Sequence, residues 1–307
     1  MRNAFIDELM ELAESNPQVA LVVGDLGFSV VEPFAERFPD RFINAGVAEQ
    51  NMMGVAAGMA SEGYHVFAYS IANFPTFRCA EQIRNDVAYH QLPVTVVSVG
   101  GGLAYGAMGY SHHAVQDYGL IRLFPNMLIG APGDPMEVRA CLRYLVANPQ
   151  PSYLRLGKNG EPTFHGAPPE LRPGVWLTLR PGLVGAPVLL STGGTLAQAM
   201  AWAQAIPGPA LRVCSLPLWG MAWKQDQHLQ LCGAERLITL EDHLLDGGFG
   251  SWMGEALMEH PILRTRHRVM ALHPDICGMV GSQGMLNQLG RLTLNELLQC
   301  ISGQKDS

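Results

Sequence analysis

The sequence predicts an α/β protein built on mainly parallel sheets. Short runs rich in β-branched residues alternate with segments of helical periodicity, which is typical of a parallel sheet covered on both faces. The composition agrees, because 48% of the 307 residues are hydrophobic and only 15% are charged. These values indicate large buried surfaces, and the length suits about two domains.

The predicted elements fall into two units. Strands of the first are predicted at 19–23, 65–69, 94–99, 127–130 and 152–156, with helical stretches between them. Pro and Gly then become frequent, which is typical of a linker. Strands of a second, smaller α/β unit are predicted at 187–191, 211–215 and 236–240. We therefore expect a first domain over 1–160, a linker over 161–186 and a second domain over 187–307.

The charge and the cysteine content indicate which partners and which kind of cysteine chemistry to expect. Lys and Arg number 20 against 27 Asp and Glu, for a net charge of -7, and no basic stripe is present. Neither nucleic acid nor a membrane is therefore an expected partner. The cysteines lack the spacing of a zinc site or a disulfide frame, and no secretion signal is visible, so we expect buried thiols and a cytoplasmic protein. They are Cys79, Cys141, Cys214, Cys232, Cys277 and Cys300.

One carboxylate, Glu49, stands at the head of an almost uncharged predicted helix that runs to Ala60. Small residues on this helix, such as Gly54 and Gly58, allow another backbone to pack closely and to shield Glu49 from water. The alternative is a carboxylate that only complements the helix macrodipole, and the spacing alone leaves both open.

Segment 41–60 resembles the Glu-containing segment of the pyrimidine-binding domain in transketolase-type thiamine diphosphate enzymes. In that family the Glu hydrogen-bonds the aminopyrimidine ring, so the resemblance implies a catalytic and cofactor-binding role for Glu49. Further motifs follow in the family's order. The chain looks like the C-terminal half of a split, two-component transketolase, with a pyrimidine-binding domain followed by the transketolase C-terminal domain.

An aromatic segment and a histidine loop extend the resemblance. Segment 69–77 is similar to the family's aromatic segment, which implies that Phe74 stacks on the pyrimidine ring and that Phe77 lies beside it. Two Phe three residues apart on a helix are otherwise typical of a core. Segment 109–117 resembles the family's Gly-Pro-Thr-His-Gln loop and implies that His112 lies near the substrate, where imidazole can titrate near neutral pH. A structural histidine is the alternative.

Substrate contacts are also implied. Arg2, Ser29 and Arg155 match the family's phosphate-binding positions, and two guanidinium groups with a hydroxyl suit a sugar phosphate. Ordinary surface arginines and a helix-capping serine are the alternative. Met108 stands where relatives place an Asp that meets a sugar hydroxyl. We therefore expect a deoxy, keto or otherwise altered sugar.

A partner subunit is expected, because the sequence lacks the Gly-Asp-Gly and spaced Asn that hold Mg²⁺ and the diphosphate in full-length transketolases. Alone the chain should be inactive, and paired subunits should form a two-fold heterotetramer. No metal site is expected in this chain, since adjacent Glu241, Asp242 and His243 point in different directions. The glycines of 247–250 indicate close packing rather than a phosphate site.

The resemblance implies transfer of a two-carbon ketol unit from a ketose or ketose phosphate to an aldehyde, with thiamine diphosphate and Mg²⁺. Two alternatives remain. A β chain of a 2-oxoacid dehydrogenase shares the two-domain plan but passes an acyl group to a lipoyl carrier. A catalytically degenerate binding partner would be consistent with the altered residues Met108 and His113.

Overall fold

The computed structural model describes residues 1–208, 210–231 and 233–303. Its strands form two sheets, one of seven strands and one of five. In chain order they are β1 Val19–Val23, β2 Phe42–Asn44, β3 His65–Ile71, β4 Val94–Val99, β5 Leu128–Gly130, β6 Ser152–Leu156, β7 Leu177–Arg180, β8 Val188–Ser191, β9 Arg212–Ser215, β10 Leu218–Gly220, β11 Leu237–Leu244 and β12 His267–Leu272.

The seven-stranded sheet has the order β10-β5-β6-β4-β3-β1-β2. Its neighbours are parallel except for β10, which runs antiparallel to β5. Strands β1, β4 and β6 are buried along their whole length, as expected for parallel strands that are covered on both faces. The predicted fold class is therefore confirmed, and the predicted strands of the first unit agree with the structure to within about two residues.

The helices cover both faces of this sheet and flank the second. They are α1 Arg2–Ser15, α2 Glu32–Arg37, α3 Glu49–Ser61, α4 Asn73–Phe77, α5 Ala80–Gln82, α6 Asp117–Ile121, α7 Pro135–Ala147, α8 Leu196–Ala205, α9 Phe249–Ala256, α10 Pro261–Arg266, α11 Gln283–Leu289 and α12 Leu294–Ser302. Helix α5 continues into a wider π-helical segment, Ile83–Tyr89.

Helices α1 and α3 lie on opposite faces of the first sheet. The apolar side of α1 packs with α7, and buried Glu8 binds Arg139 Nη1 at 2.9 Å and Arg143 Nε at 2.5 Å. Helix α3 buries Met52 and Met53 in the core of the other face. Because these apolar side chains hold α3 against the sheet, its first residue, Glu49, lies near the carboxyl end of β1.

The five-stranded sheet has the order β12-β11-β8-β9-β7 and is parallel except for the β9–β7 pair. Strand β7 lies within segment 161–186, so part of the predicted linker is an edge strand. Strand β10 follows β9 in the chain but joins the first sheet. Its Trp219 ring lies 5.1 to 5.4 Å from the rings of Tyr118, Phe249 and Trp252, which closes the junction between the two units. The domain limits remain a prediction.

The cysteines differ in part from the expectation. Cys79, Cys141 and Cys214 are buried thiols, whereas Cys277 and Cys300 are only partly buried. Cys232 lies outside the described residues. In the three described ranges, no helix has the length and apolar character needed to cross a bilayer.

Candidate active site

Glu49 begins α3 after the loop that leaves β2. The loop turns at Gly46, whose φ of +72° favours glycine, and the Gly46 N–H donates to Asn44 Oδ1 at 3.0 Å. Glu49 is 5% exposed, whereas Val47, two residues earlier, is 73% exposed. A buried carboxylate therefore follows an exposed apolar side chain by two residues.

Arg78 is the ion-pair partner of Glu49, with Nη1 donating to Oε1 at 2.8 Å. The same guanidinium covers the Phe74 ring, and its Cζ lies 4.1 Å from the ring centroid, a favourable cation–π distance. The sequence analysis missed Arg78. A signal was present, because Arg78 follows Phe74 by four residues, the spacing at which side chains meet on one helical face.

Phe74 and Phe77 line one open cleft of about 490 Å³. Phe77 is 43% exposed, and Phe74 is half-buried. The core alternative therefore does not describe Phe77, which faces the cleft. The other lining residues are Asn73, Arg78, Tyr110, Ser111, His113 and Gln116.

His112 lies beside this aromatic segment. It ends a short turn, Tyr110–His112, and its ring meets Phe74 edge-on with 5.3 Å between ring centroids. On its other side the Tyr105 ring lies 6.3 Å away. Through Arg78 and Phe74, the structure thus joins Glu49 and His112 on one continuous surface.

The histidine loop is tied to α4 by Asn73. The Asn73 side-chain amide donates to the carbonyl oxygens of Ser111 at 3.2 Å and His113 at 2.8 Å. His113 is buried, and its Nε2 lies 3.2 Å from the Gly106 carbonyl oxygen. His113 therefore braces the loop and also lines the cleft, while His112 lies beside it in contact with the Phe74 and Tyr105 rings.

The surroundings of His112 favour its neutral form. Burial, the neighbouring His113 and the Arg78 charge all lower the pKa of His112 below its ordinary value. Its Nδ1 lies 3.0 Å from Ser111 Oγ. A neutral imidazole can accept a proton through one nitrogen and donate a hydrogen bond through the other.

Two cations lie on the far side of Tyr105. Arg2 Nε donates to the Lys158 carbonyl oxygen at 2.7 Å, and Lys158 Nζ lies 5.1 Å from the Tyr105 ring centroid. Lys158 was not among the predicted residues, although it is a lone cation in a glycine-rich turn after β6. Since Tyr105 also contacts His112, these two charges suit an anionic group on a ligand that reaches the histidine.

Ser29 lies in the loop after β1. Its φ is +63°, and its backbone N–H donates to Glu32 Oε1 at 2.8 Å. Ser29 is exposed, and the preceding Phe28 lines a small cavity of about 200 Å³ together with Arg2. The structure therefore brings the predicted Arg2 and the Ser29 loop to one cavity.

Arg155 occupies a different environment from Arg2. Its side chain is 2% exposed and pairs with Asp117, Nε to Oδ2 at 2.7 Å, and with Asp242. The remaining guanidinium donors bind the Tyr118 hydroxyl and the Ala114 carbonyl oxygen. Two carboxylates already neutralise this cation and its donors are used within the chain. The predicted phosphate-binding role therefore does not fit Arg155, which joins the two units instead.

Three adjacent residues of β11 each make a different contact. They are Glu241, Asp242 and His243. Glu241 accepts backbone N–H bonds from the start of α9 at 2.6 and 2.7 Å, and burial raises its pKa to about 8. Asp242 binds Arg155, while His243 Nδ1 donates to the next carbonyl oxygen at 2.6 Å. Because Glu241 accepts the N–H groups of Phe249 and Gly250, these two groups are not free to bind a phosphate. Within 1–208, 210–231 and 233–303, no three His, Cys, Asp or Glu are placed to hold a metal ion.

The surface between Glu49 and Phe74 fits the pyrimidine half of thiamine diphosphate. A flat guanidinium already donates to the carboxylate and stacks on the ring there. An aminopyrimidine ring is likewise flat and likewise presents hydrogen-bond donors. The chemistry of the two side chains therefore suits this part of the cofactor.

Fold and site together define a protein of the thiamine diphosphate-binding α/β class. Residues 1–161 match the family described as transketolase, pyrimidine binding domain. A curated relative, one subunit of the apulose-4-phosphate transketolase of Phocaeicola vulgatus, is 32% identical over 85% of this chain and 84% of its own length. The chain belongs to the transketolase family, as a C-terminal subunit of the split, two-component type.

Two further similarities cover nearly the whole chain. The 6-deoxy-6-sulfo-D-fructose transketolase subunit SqwH of Clostridium sp. is 29% identical over 97% of this chain and 92% of its own length. A solved structure described as a split-gene transketolase in an inactive β4 tetramer is 30% identical, with a TM-score of 0.84, covering 98% of this chain and 96% of that one.

Proposed function

We propose that this chain is the pyrimidine-binding subunit of a transketolase that moves a two-carbon ketol unit from a ketose donor to an aldehyde acceptor. The observation that supports this best is the continuous surface of Glu49, Phe74 and His112. Thiamine diphosphate, when bound, supplies the chemistry that breaks and forms the carbon–carbon bond beside a carbonyl. Phe74 and Phe77 hold its pyrimidine ring, and Glu49 shares a proton with that ring.

His112 binds the substrate side of the site in this proposal. Its lowered pKa keeps the ring neutral near pH 7, so it can accept a proton from a sugar hydroxyl or donate a hydrogen bond to a carbonyl oxygen. Tyr105 and the loop held by Asn73 orient this imidazole. A positioned ring loses little freedom when the substrate binds.

The substrate is a sugar with an anionic terminus. Arg2 and Lys158 provide two positive charges near Tyr105, and the loop that carries Ser29 reaches the small cavity lined by Arg2 and Tyr105. Met108 is 57% exposed at the end of the short turn Gly106–Met108, and the family resemblance implies a carboxylate at this position that meets a sugar hydroxyl. Two relatives are named for apulose 4-phosphate and 6-deoxy-6-sulfo-D-fructose, and both names support an anionic, altered sugar.

A separate subunit completes the site and binds the diphosphate through Mg²⁺. The exposed apolar side chains Val47 and Phe77 and the open space beside Gly54 and Gly58 support a covering chain at this surface. We propose a two-fold heterotetramer, and an inactive assembly when the subunit is alone, as the description of the related β4 tetramer suggests. The buried thiols support a cytoplasmic location.

The test is reconstitution with a candidate subunit that carries the Gly-Asp-Gly and Asn motif. Each chain and the mixture are assayed for two-carbon transfer with thiamine diphosphate and Mg²⁺, with sugar phosphates and sulfo-sugars as donors. We expect activity in the mixture only. Acyl transfer to lipoamide would instead establish a 2-oxoacid dehydrogenase β chain, and stable association without cofactor binding would establish a degenerate partner.

A further inference from the structure

Arg78 occupies the space between Glu49 and Phe74. It donates to the Glu49 carboxylate at 2.8 Å and stacks over Phe74 at 4.1 Å. These are the two contacts by which the proposed function holds the pyrimidine ring. We propose that Arg78 is a positioning residue that holds the place of the pyrimidine ring in the cofactor-free chain and is displaced when the cofactor binds. This inference rests on the proposed function of the site.

A guanidinium is well suited to this place. It is planar, always charged, and able to stack on an aromatic face while it donates to a carboxylate. Glu49 is 5% exposed, and Arg78 supplies a charge-assisted hydrogen bond to its carboxylate from the half-exposed side of the pair. Arg78 therefore keeps Glu49 compensated and Phe74 covered until the ring arrives.

Arg78 is also free to leave. Its side chain is 49% exposed, so the guanidinium can move into solvent without crossing packed residues. An ion pair and a cation–π contact at a half-exposed site are each modest in strength. Contacts of this size are reversible, and they suit a residue that exchanges with a ligand.

Displacement has a measurable consequence for affinity. Arg78 and the pyrimidine ring cannot both stack on the face of Phe74 that the guanidinium covers, and both bind the Glu49 carboxylate in this proposal. The apparent affinity of the ring is therefore reduced by the fraction of chains in which Arg78 has left. The summed strength of the two contacts corresponds to about tenfold in the dissociation constant.

The test compares Arg78→Met with wild type as full-length chains. Met keeps the side-chain length but removes the charge and the planar group. Arg84→Met is the matched control, because Arg84 is exposed nearby and binds Asn85 rather than the site. Thermal unfolding confirms that each variant folds. Binding of 4-amino-2-methylpyrimidine is measured by ligand-observed NMR, and we expect about tenfold tighter binding to Arg78→Met alone.

A second titration uses the two-subunit complex with thiamine diphosphate and Mg²⁺, followed by tryptophan fluorescence. If 4-amino-2-methylpyrimidine binds neither wild type nor the variants, the dissociation constants of thiamine diphosphate for wild type and Arg78→Met are compared instead. About tenfold tighter binding by Arg78→Met then supports displacement. Equal or weaker binding by Arg78→Met overturns displacement and leaves the proposed function intact. Absence of cofactor binding in every variant, wild type included, overturns the proposed function and this inference with it.

Discussion

Glu49 combines burial with a charged partner, which makes it the most sensitive position in the site. Its carboxylate is 5% exposed and binds Arg78 through one oxygen. Glutamine keeps an acceptor oxygen in the same place but cannot share a proton with the cofactor. Replacing Glu49 with glutamine should therefore lower catalytic turnover while leaving the stability of the fold nearly unchanged.

Glu49→Gln is predicted to lower turnover of the reconstituted enzyme by about 10²-fold or more, the usual contribution of proton transfer. Thermal unfolding of the chain should change little. Glu62→Gln, at the exposed end of α3, is the control and should keep both properties. Near wild-type turnover of Glu49→Gln would contradict the catalytic assignment.

The pKa of His112 is predicted to depend on the charge of Arg78. Burial, His113 and Arg78 lower its pKa, so removing the Arg78 charge in Arg78→Met should raise the pKa towards the ordinary value. NMR titration of the imidazole measures the shift, with Arg84→Met as the reference. Because the folded-state pKa lies below the unfolded value, protonation of His112 destabilises the fold as the pH falls through that interval. An unchanged pKa would show that the two groups do not interact.

At the level of elements, the end of β6 and the middle of β11 are joined through Arg155. The two residues of its ion pair with Asp242 lie 87 positions apart in the chain. Asp117, at the start of α6, binds the same guanidinium. One buried cation thus fixes three elements from both units.

Arg155→Met is predicted to destabilise the chain by about 3–5 kcal/mol, because it leaves two buried carboxylates without their cation. Urea unfolding measures the loss. Arg172→Met removes an exposed arginine that pairs with exposed Glu170, and should change stability by no more than about 0.5 kcal/mol. A stable Arg155→Met whose only defect is a raised KM for the donor would restore the phosphate-binding role.

The whole molecule leaves one face of α3 uncovered. Gly54 and Gly58 lie one turn apart on its exposed side, and nothing lies within 4 Å of a Cβ placed at either. The opposite side of the helix is buried in the core. The open face lies close to the buried Glu49, so a covering chain there would also enclose the site.

Gly54→Leu is predicted to fold normally, since the added side chain meets open space and glycine is a poor helix former. It should nevertheless weaken assembly with other subunits about tenfold or more, because the added bulk prevents close packing of backbones. Light scattering and analytical ultracentrifugation measure the assemblies. Gly284→Leu on α11, where a Cβ also meets open space, is the control. Unchanged assembly of Gly54→Leu would show that this face stays uncovered.

The sequence by itself determined the α/β class and the parallel strands. Buried parallel strands are continuous apolar runs, so β1, β4 and β6 are visible locally. Short strands such as β2 and β10 carry too few residues for a periodic signal. Glu49, Phe74 and His112 could be named as candidates because each lies in a motif that resembles the family's and follows its order along the chain.

Only the tertiary structure decided how charged side chains are paired. Arg155 and Arg2 are the same residue type and matched the same predicted role. In the structure Arg155 is buried between two carboxylates, whereas Arg2 lines an open cavity. Arg78 became part of the site only when α3 and α4 were brought together. Ion pairs depend on distance in space rather than on separation along the chain. The charged residues can therefore be read from the sequence, but their partners are known only from the fold.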